Sequence, residues 1–398
     1  MELMTSVPDS TKRTIAVVTS SRADYGHLYW VLKELQARPQ VEVRLMVTGA
    51  HLRPEFGLTS RVIEADGFTI DDRIECLGDS DTETAAAQAI GRATIGFAHA
   101  FDRQRPDLLL LIADRFEMLG PANAALAMRI PIAHIEGGER SEGAIDNAIR
   151  NALTMMSHVH LTTTESAKAK IIAMGEEAWR VHRVGAPSLD HLKRSTLPDR
   201  QALESRIGLN LQTPPLLVAH HPVTLDPDPA HESIALFEAL ANFISKGAGT
   251  RPIVFCFPNA DSGNLAIRSR AEAFCASNEN AKLIVNLEPP MYWGLMHHVA
   301  ALVGNSSSGI MESASIPIPA VNIGRRQRGR EQPACVIDVP ANAETISNAI
   351  ALALDPDFRG SLQGIVNPYG DGDAARRIAT ILGEIPIDAR LLNKTTDA

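Results

Sequence analysis

The run Gly304-Asn305-Ser306-Ser307-Ser308-Gly309-Ile310-Met311-Glu312 points most directly at chemistry. Small residues let backbone N–H groups approach an anion, and a helix N-terminus adds a favourable dipole. The run follows the apolar stretch Ala301–Val303 and is expected to open a helix. Its glycine spacing matches the start of a P-loop. Ile310 and Met311 stand where Lys and Ser/Thr are needed, so a Walker-type NTPase is excluded. The plain alternative is an ordinary serine N-cap. Glu312, one turn further, offers a carboxylate to a ribose diol or simply meets the helix dipole.

Downstream lies Gly324-Arg325-Arg326-Gln327-Arg328-Gly329-Arg330, four arginines in one loop of an acidic chain. Guanidinium forks match phosphate oxygens, although a solvated basic loop has the same composition. Arg22, in Ser20–Gly26 after the first apolar run, stands where doubly wound folds usually meet phosphates. No G-x-G-x-x-G occurs there, so a nicotinamide or flavin site is not expected.

Acids and one histidine gather at other strand ends. Asp114 and Arg115 close one apolar run, and Glu136 and Glu139 close the next. Asp146 and Arg150 share a helix face, and His221 ends the first run of the second half. One such residue is commonplace, but several at carboxyl ends resemble acid/base equipment. No tight metal-ligand spacing appears, and Cys76, Cys256, Cys275 and Cys335 form no C-x-x-C pair.

These residues need a scaffold. Continuous apolar runs are expected as strands at Thr14–Ser20, Val43–Thr48, Asp107–Ile112, Pro131–Ile135, Val159–Thr163 and Val181–Gly185. After a polar, proline-bearing stretch at Ser195–Pro215 the rhythm restarts. The later runs are Leu216–His220, Ile253–Phe257, Leu283–Asn286, Ala301–Gly304, Ala320–Ile323 and Val336–Val339. Helical patterns fall between, including Gly26–Gln36, Glu232–Lys246 and Asn342–Leu354. Alternating strands and helices imply an α/β fold with two doubly wound parallel sheets, ligands lying beyond the strands' carboxyl ends. The expected division is residues 1–190 and 191–370, with a cleft between.

A length of 398 residues suits two domains, and 45% apolar residues provide their cores. A net charge of −9 argues against general nucleic-acid binding. Met1–Arg13 lacks the apolar core of a signal peptide, and no run is long enough to span a bilayer. A cytoplasmic protein is expected, with Asn393–Ala398 frayed.

In this order the motifs resemble the hydrolysing UDP-N-acetylglucosamine 2-epimerase family of sialic-acid-pathway type. The matching runs are Ser21–Tyr25, Gly49–Leu52, Asp114–Phe116, His134–Glu139, Gly143–Arg150, His221–Thr224, Gly304–Gly309, Arg326–Arg330 and Asn367–Gly372. Together they cover roughly residues 14–380. The resemblance implies a GT-B-type architecture of two facing Rossmann-like domains, with a helix near 371–390 crossing back to the first. It implies that Ser307 and Ser308 hold a diphosphate, Glu312 the ribose, and Arg22 and an arginine of the Arg326–Arg330 run the phosphates; Ser306, Arg326 and Arg330 are expected among the substrate-binding residues. It implies that His51, Asp114, Glu136, Asp146 and His221 line the sugar, and Arg115 is expected among the substrate-binding residues.

Three positions depart from common family patterns. Ala113 replaces a frequent Gly, Glu136 a frequent bacterial His, and Arg325 a frequent bacterial Asp. The activity implied is conversion of UDP-N-acetylglucosamine and water to N-acetylmannosamine and UDP. The alternatives are a UDP-2,4-diacetamido-2,4,6-trideoxyhexose substrate or its GDP analogue, a GT-B-type glycosyltransferase, or a sugar-nucleotide binding protein. Asp114 or Glu136 is expected to act as base at C2, with His221 and Asp146 as the acid and the activator of water. No cofactor or metal is expected; the partner is a UDP-sugar, and a homodimer or homotetramer is carried over from relatives.

Overall fold

The computed structural model describes residues 12–80, 82–140, 145–245, 251–256, 263–285, 287 and 289–395. Lys246, Phe257 and Asn286, expected ends of three elements, lie outside them, as do residues 1–11, Gly143 and residues 396–398.

The first sheet holds β1 (Arg13–Thr19), β2 (Val41–Thr48), β3 (Asp72–Ile74), β4 (Leu108–Ile112), β5 (Ile132–Ile135), β6 (Val159–Thr162) and β7 (Val181–Arg183). They lie in the order β3-β2-β1-β4-β5-β6-β7 and pair in parallel. The second sheet holds β8 (Leu216–Ala219), β9 (Ile253–Cys256), β10 (Ala281–Ile284), β11 (Ala301–Gly304), β12 (Ala320–Ile323) and β13 (Val336–Val339). Its order is β10-β9-β8-β11-β12-β13, again parallel. This is the GT-B-type pair of doubly wound domains.

Helices cover both faces of each sheet, which is why strands such as Leu108–Ile112 are apolar and buried throughout. On one face of the first sheet Ile15, Val17, Leu108 and Leu110 pack with Leu28, Leu32 and Leu35 of helix Arg22–Gln36. On the other, Ala16, Val18, Leu109 and Leu111 meet Ala93, Phe97 and Phe101 of helix Glu83–Arg103. Leu216, Val218 and Val303 anchor the second core against Leu236, Leu240 and Ile350.

Strand order reverses between β1 and β4 in one sheet and between β8 and β11 in the other. At such a switch point the neighbouring connections leave in opposite directions and open a crevice at the carboxyl ends. Arg22 and Asp114 flank the first reversal; His221 and Ser306 flank the second.

The chain returns to the first domain at its end. Ala374, Ala375, Ile378, Ala379 and Leu382 of helix Ala374–Glu384 share the core containing Ile15 and Leu35. Asp190 accepts the Ala374 and Ala375 N–H groups at 2.9 and 3.2 Å, anchoring that helix's start.

Three expectations are corrected. Strand β3 is only three residues long at a sheet edge, so no apolar run announces it. The helix expected from Gly26 begins at Arg22, because the Ser21 side chain accepts the Asp24 N–H and caps it there. Asn393 is not frayed: Arg180 Nη2 donates to its carbonyl at 2.9 Å, and Lys394 Nζ donates to Met155 O and Ser157 O, both at 2.7 Å.

Candidate active site

A cavity between the domains contains about 1180 Å³ of non-protein space, partly open to solvent. Ten of the thirteen residues singled out from the sequence line it: Arg22, Asp114, Arg115 and Glu136 on the first domain, with His221, Ser306, Ser307, Ser308, Arg326 and Arg330 on the second. Arg22 and Arg330, 308 positions apart in the chain, thus share one space.

The acid wall is built from backbone strain. Ala113 and Glu136, immediately after β4 and β5, are non-glycine residues with φ of +60° and +65°. Left-handed geometry costs an L-residue about 1–2 kcal/mol, and such strain collects at functional sites. It turns the chain sharply as each strand ends. His134 Nε2 lies 2.8 Å from Ala113 O and pins the first turn. A glycine in place of Ala113 would relieve that turn.

Each acid has a cation. Asp114 is bonded to Arg150, itself 1% exposed. Burial raises the Asp114 pKa, but Arg150, Arg330, Arg326 and Arg115 outweigh it and leave the group below its ordinary value. Glu136 Oε1 lies 2.8 Å from His27 Nδ1. Burial again raises the carboxyl pKa, and His27, Arg330 and Arg150 bring it below normal. For His27, burial opposes the charge, but Glu136, Glu312 and Asp24 raise its pKa to about 9. At neutral pH both acids stand as carboxylates and His27 as an imidazolium.

His27 was not singled out from sequence; one histidine at the head of an amphipathic helix reads as packing. The only available signal was its place five residues after Arg22, just over one turn on.

The opposite wall depends on Gly304, which ends β11 with φ +140°; an added Cβ would lie 2.1 Å from Ala219 O. Only glycine permits β11 to approach β8 so closely. Asn305 then braces the neighbouring strand end: its Oδ1 accepts the His221 N–H at 2.7 Å and its Nδ2 donates to His221 O at 2.9 Å. Burial lowers the His221 pKa well below normal, reinforced by Arg326, His220, Arg115 and Arg22, so its imidazole is neutral. The serine loop differs from expectation in one respect. Its helix, Ser308–Met311, is a single turn, followed by a 3₁₀ turn at Ser313–Ser315. A helix dipole of that length is small, so an anion there depends on nearby N–H groups, hydroxyls and arginines.

Three expected residues do not line the cavity. His51 is fully buried, with Nε2 2.9 Å from Thr19 Oγ1 and Nδ1 2.7 Å from Thr59 Oγ1. Its position in the 3₁₀ turn Gly49–Leu52 tucks it beneath the wall, and burial with Arg115 lowers its pKa to about 3. Glu312 is 1% exposed and accepts from Ser188 Oγ at 2.5 Å, because it ends the short helix and turns inward. Asp146, at the start of helix Asp146–Met156, lies 3.2 Å from Arg326 Nη2.

The domains touch around the cavity. Arg22 Nη1 donates to Val285 O at 3.0 Å, and the Ile145 N–H donates to Thr224 Oγ1 at 3.0 Å. Arg330 Nε donates to Arg140 O at 2.7 Å. Tyr292, Trp293 and Leu287 add an apolar flank. Among the described residues no group of three or more His, Cys, Asp or Glu is placed to hold a metal ion, and no helix is long and apolar enough to cross a membrane.

Fold and cavity together define a GT-B-type α/β protein whose interdomain cleft sets carboxylates against a serine–arginine rim. The chain matches the model of the UDP-N-acetylglucosamine 2-epimerase family over residues 33–383, and it belongs to that family. It is 35% identical over 384 residues to UDP-N,N'-diacetylbacillosamine 2-epimerase (hydrolyzing) of Legionella pneumophila, covering 96% of this chain and 98% of that protein. It is 34% identical over 333 residues to GDP/UDP-N,N'-diacetylbacillosamine 2-epimerase (hydrolyzing) of Campylobacter jejuni, covering 83% and 85%. The solved UDP-GlcNAc 2-epimerase from Neisseria meningitidis, bound to UDP-GlcNAc, shares the fold with a TM-score of 0.78 at 18% identity, covering 93% of this chain and 99% of that one.

Proposed function

We propose that this protein is a hydrolysing 2-epimerase acting on a UDP-linked 2-acetamido sugar. The observation that carries this reading is the single cavity shared by Asp114, Glu136, Ser307, Ser308 and Arg326. We place a UDP-2,4-diacetamido-2,4,6-trideoxyhexose first as substrate, because relatives of 34–35% identity are named for such a sugar. UDP-N-acetylglucosamine, placed first from the motifs, becomes the second reading, supported by those motifs and by the family the chain belongs to.

The C2 proton of a resting sugar is barely acidic. Breaking the C1–O bond to the diphosphate makes C1 oxocarbenium-like and acidifies C2. The Ser307 and Ser308 hydroxyls and N–H groups, with Arg22, Arg326 and Arg330, would receive the charge on the leaving UDP. A carboxylate takes the C2 proton and a 2-acetamidoglucal forms. Water then adds its hydroxyl at C1, and a proton returns to C2 on the opposite face. Two proton-handling groups are therefore required, and Asp114 and Glu136 stand on the neighbouring ends of β4 and β5. Neutral His221 suits acceptance of the water proton better than donation. Tyr292 and Leu287 would offer the uracil an apolar wall. A glycosyltransferase needs one base, which leaves the second carboxylate without work.

Incubation with each sugar nucleotide in deuterated water, followed by NMR, tests this reading. Free UDP and a C2-deuterated, C2-inverted free sugar are expected. A sugar epimerised while still joined to UDP would identify a non-hydrolysing enzyme. Two inert substrates would overturn the proposal.

A further inference from the structure

The Glu136 carboxyl is 5% exposed, the residue sits on strained backbone and lines the cavity, and its ion-pair partner is a histidine from another element. His27 is held in place by helix Arg22–Gln36, whose Leu28, Val31 and Leu32 are fully buried. Its Nδ1 meets Glu136 Oε1 at 2.8 Å, and its ring also lines the cavity. A carboxylate in so dry a position is costly unless a cation accompanies it. We propose that His27 is a positioning residue for proton transfer at the sugar: its imidazolium fixes Glu136 and supplies the counter-charge that keeps it a carboxylate on the cavity wall. This inference rests on the epimerase reading for its catalytic consequence, but the ion pair stands on the geometry alone.

The charge surroundings point the same way. Asp24 on its own helix, Glu136 beyond β5 and Glu312 beyond β11 favour the protonated ring, while burial disfavours it. His191, from helix Asp190–Arg194, feels the His27 charge as a repulsion. Arg150 and Arg330 assist His27 in holding Glu136 ionised, and Glu136 in turn raises the Glu312 pKa. Burial alone pushes Glu136 towards the protonated form. Removing His27 therefore moves Glu136 titration towards neutral pH, and a lysine that restores the positive charge moves it back.

The experiment compares wild type, His27→Gln and His27→Lys, each first shown to bind UDP. The pH dependence of turnover is measured, and the Glu136 side-chain carboxyl ¹³C resonance, assigned by its loss in Glu136→Gln, is titrated without ligand. For His27→Gln the acid limb and the ¹³C midpoint should both rise by about one pH unit or more. Turnover should therefore fall by about 10-fold on the acid limb, below the wild-type midpoint, and distinctly less near pH 9. His27→Lys should restore the wild-type acid limb. Coincident ¹³C midpoints in wild type and His27→Gln would overturn the inference, as would a uniform loss across pH. If wild type processes neither sugar nucleotide, the functional reading fails, and the ¹³C titration alone decides whether His27 governs Glu136.

Discussion

Arg326 Nη2 and Asp146 Oδ2 meet 3.2 Å apart across the cleft, so a phosphate-suited cation from the second domain rests on an acid of the first. On the proposed reading, a diphosphate at Ser307 and Ser308 would compete with Asp146 for that guanidinium. Asp146→Asn weakens the rival, so UDP should bind as tightly as to wild type or a few-fold tighter. Turnover should fall at least 10-fold if Asp146 then moves protons. Calorimetric titration with UDP and a turnover assay separate the two effects. Weaker UDP binding would argue against competition for Arg326.

Glu136→Gln preserves shape and removes the charge. UDP affinity should change by less than about 3-fold, while turnover falls by roughly 10²–10⁴. Near-normal turnover would remove Glu136 from the proton-transfer pair.

Gly304 admits no side chain, because the Cβ of Gly304→Ala would overlap the Ala219 carbonyl. Separating β11 from β8 should cost about 2–5 kcal/mol. It should also disturb Asn305 and His221, weakening UDP binding. Urea unfolding and a UDP titration read these consequences; a loss below 1 kcal/mol would show that the approach is not tight.

Ser307 and Ser308 give a contrasting test. Replacing both with bulky apolar residues should reduce UDP affinity about 10-fold or more with a smaller change in stability, since both residues line the cavity and are only partly buried. Unchanged affinity would refute their assignment to the diphosphate.

Stability should vary with pH in opposite senses on either side of pH 6.5. Burial holds His51 and His220 at about 3, and His134, His158 and His191 at about 4. As pH falls below 6.5 the unfolded chain takes up these protons first, and stability is lost down to those folded values. Asp190, raised to about 6 by burial, opposes the trend, as do Asp24, Asp71, Glu117, Glu232 and Glu312, which burial also raises, while His160, His182, His221 and His297, lowered by burial, add to it. His27, raised to about 9, contributes stability that is complete below 6.5 and lost as pH rises through 9. Melting temperature should therefore decline from pH 6.5 to 9, and His27→Gln should flatten that decline. An unchanged slope in the variant would count against it.

The parts of the site that could be read from sequence are those carried by the ends of long apolar strands. Leu108–Ile112 and Ala301–Gly304 are continuous apolar runs, so their pattern alone places Asp114 and Ser306 at their carboxyl ends. Side-chain direction was less accessible. His51 and Glu312 follow strands too, but a 3₁₀ turn and a one-turn helix send them inward. His27 escaped because its role depends on Glu136, 109 positions away, and no local pattern encodes that encounter. Asn305 escaped for a similar reason: its work is to brace His221, 84 positions away.

Helix Ala374–Glu384 has a consequence for how the polypeptide matures. The half that starts first finishes last, since its interior lacks Ile378 and Leu382 until helix Ala374–Glu384 has been synthesised. The later half, β8 to β13, can assemble earlier because its sheet is complete at Val339 and its core at Ala353. Chains shortened before Ala374 should therefore leave the ribosome with one finished half and one exposing a greasy groove beside Ile15, ready for a chaperone.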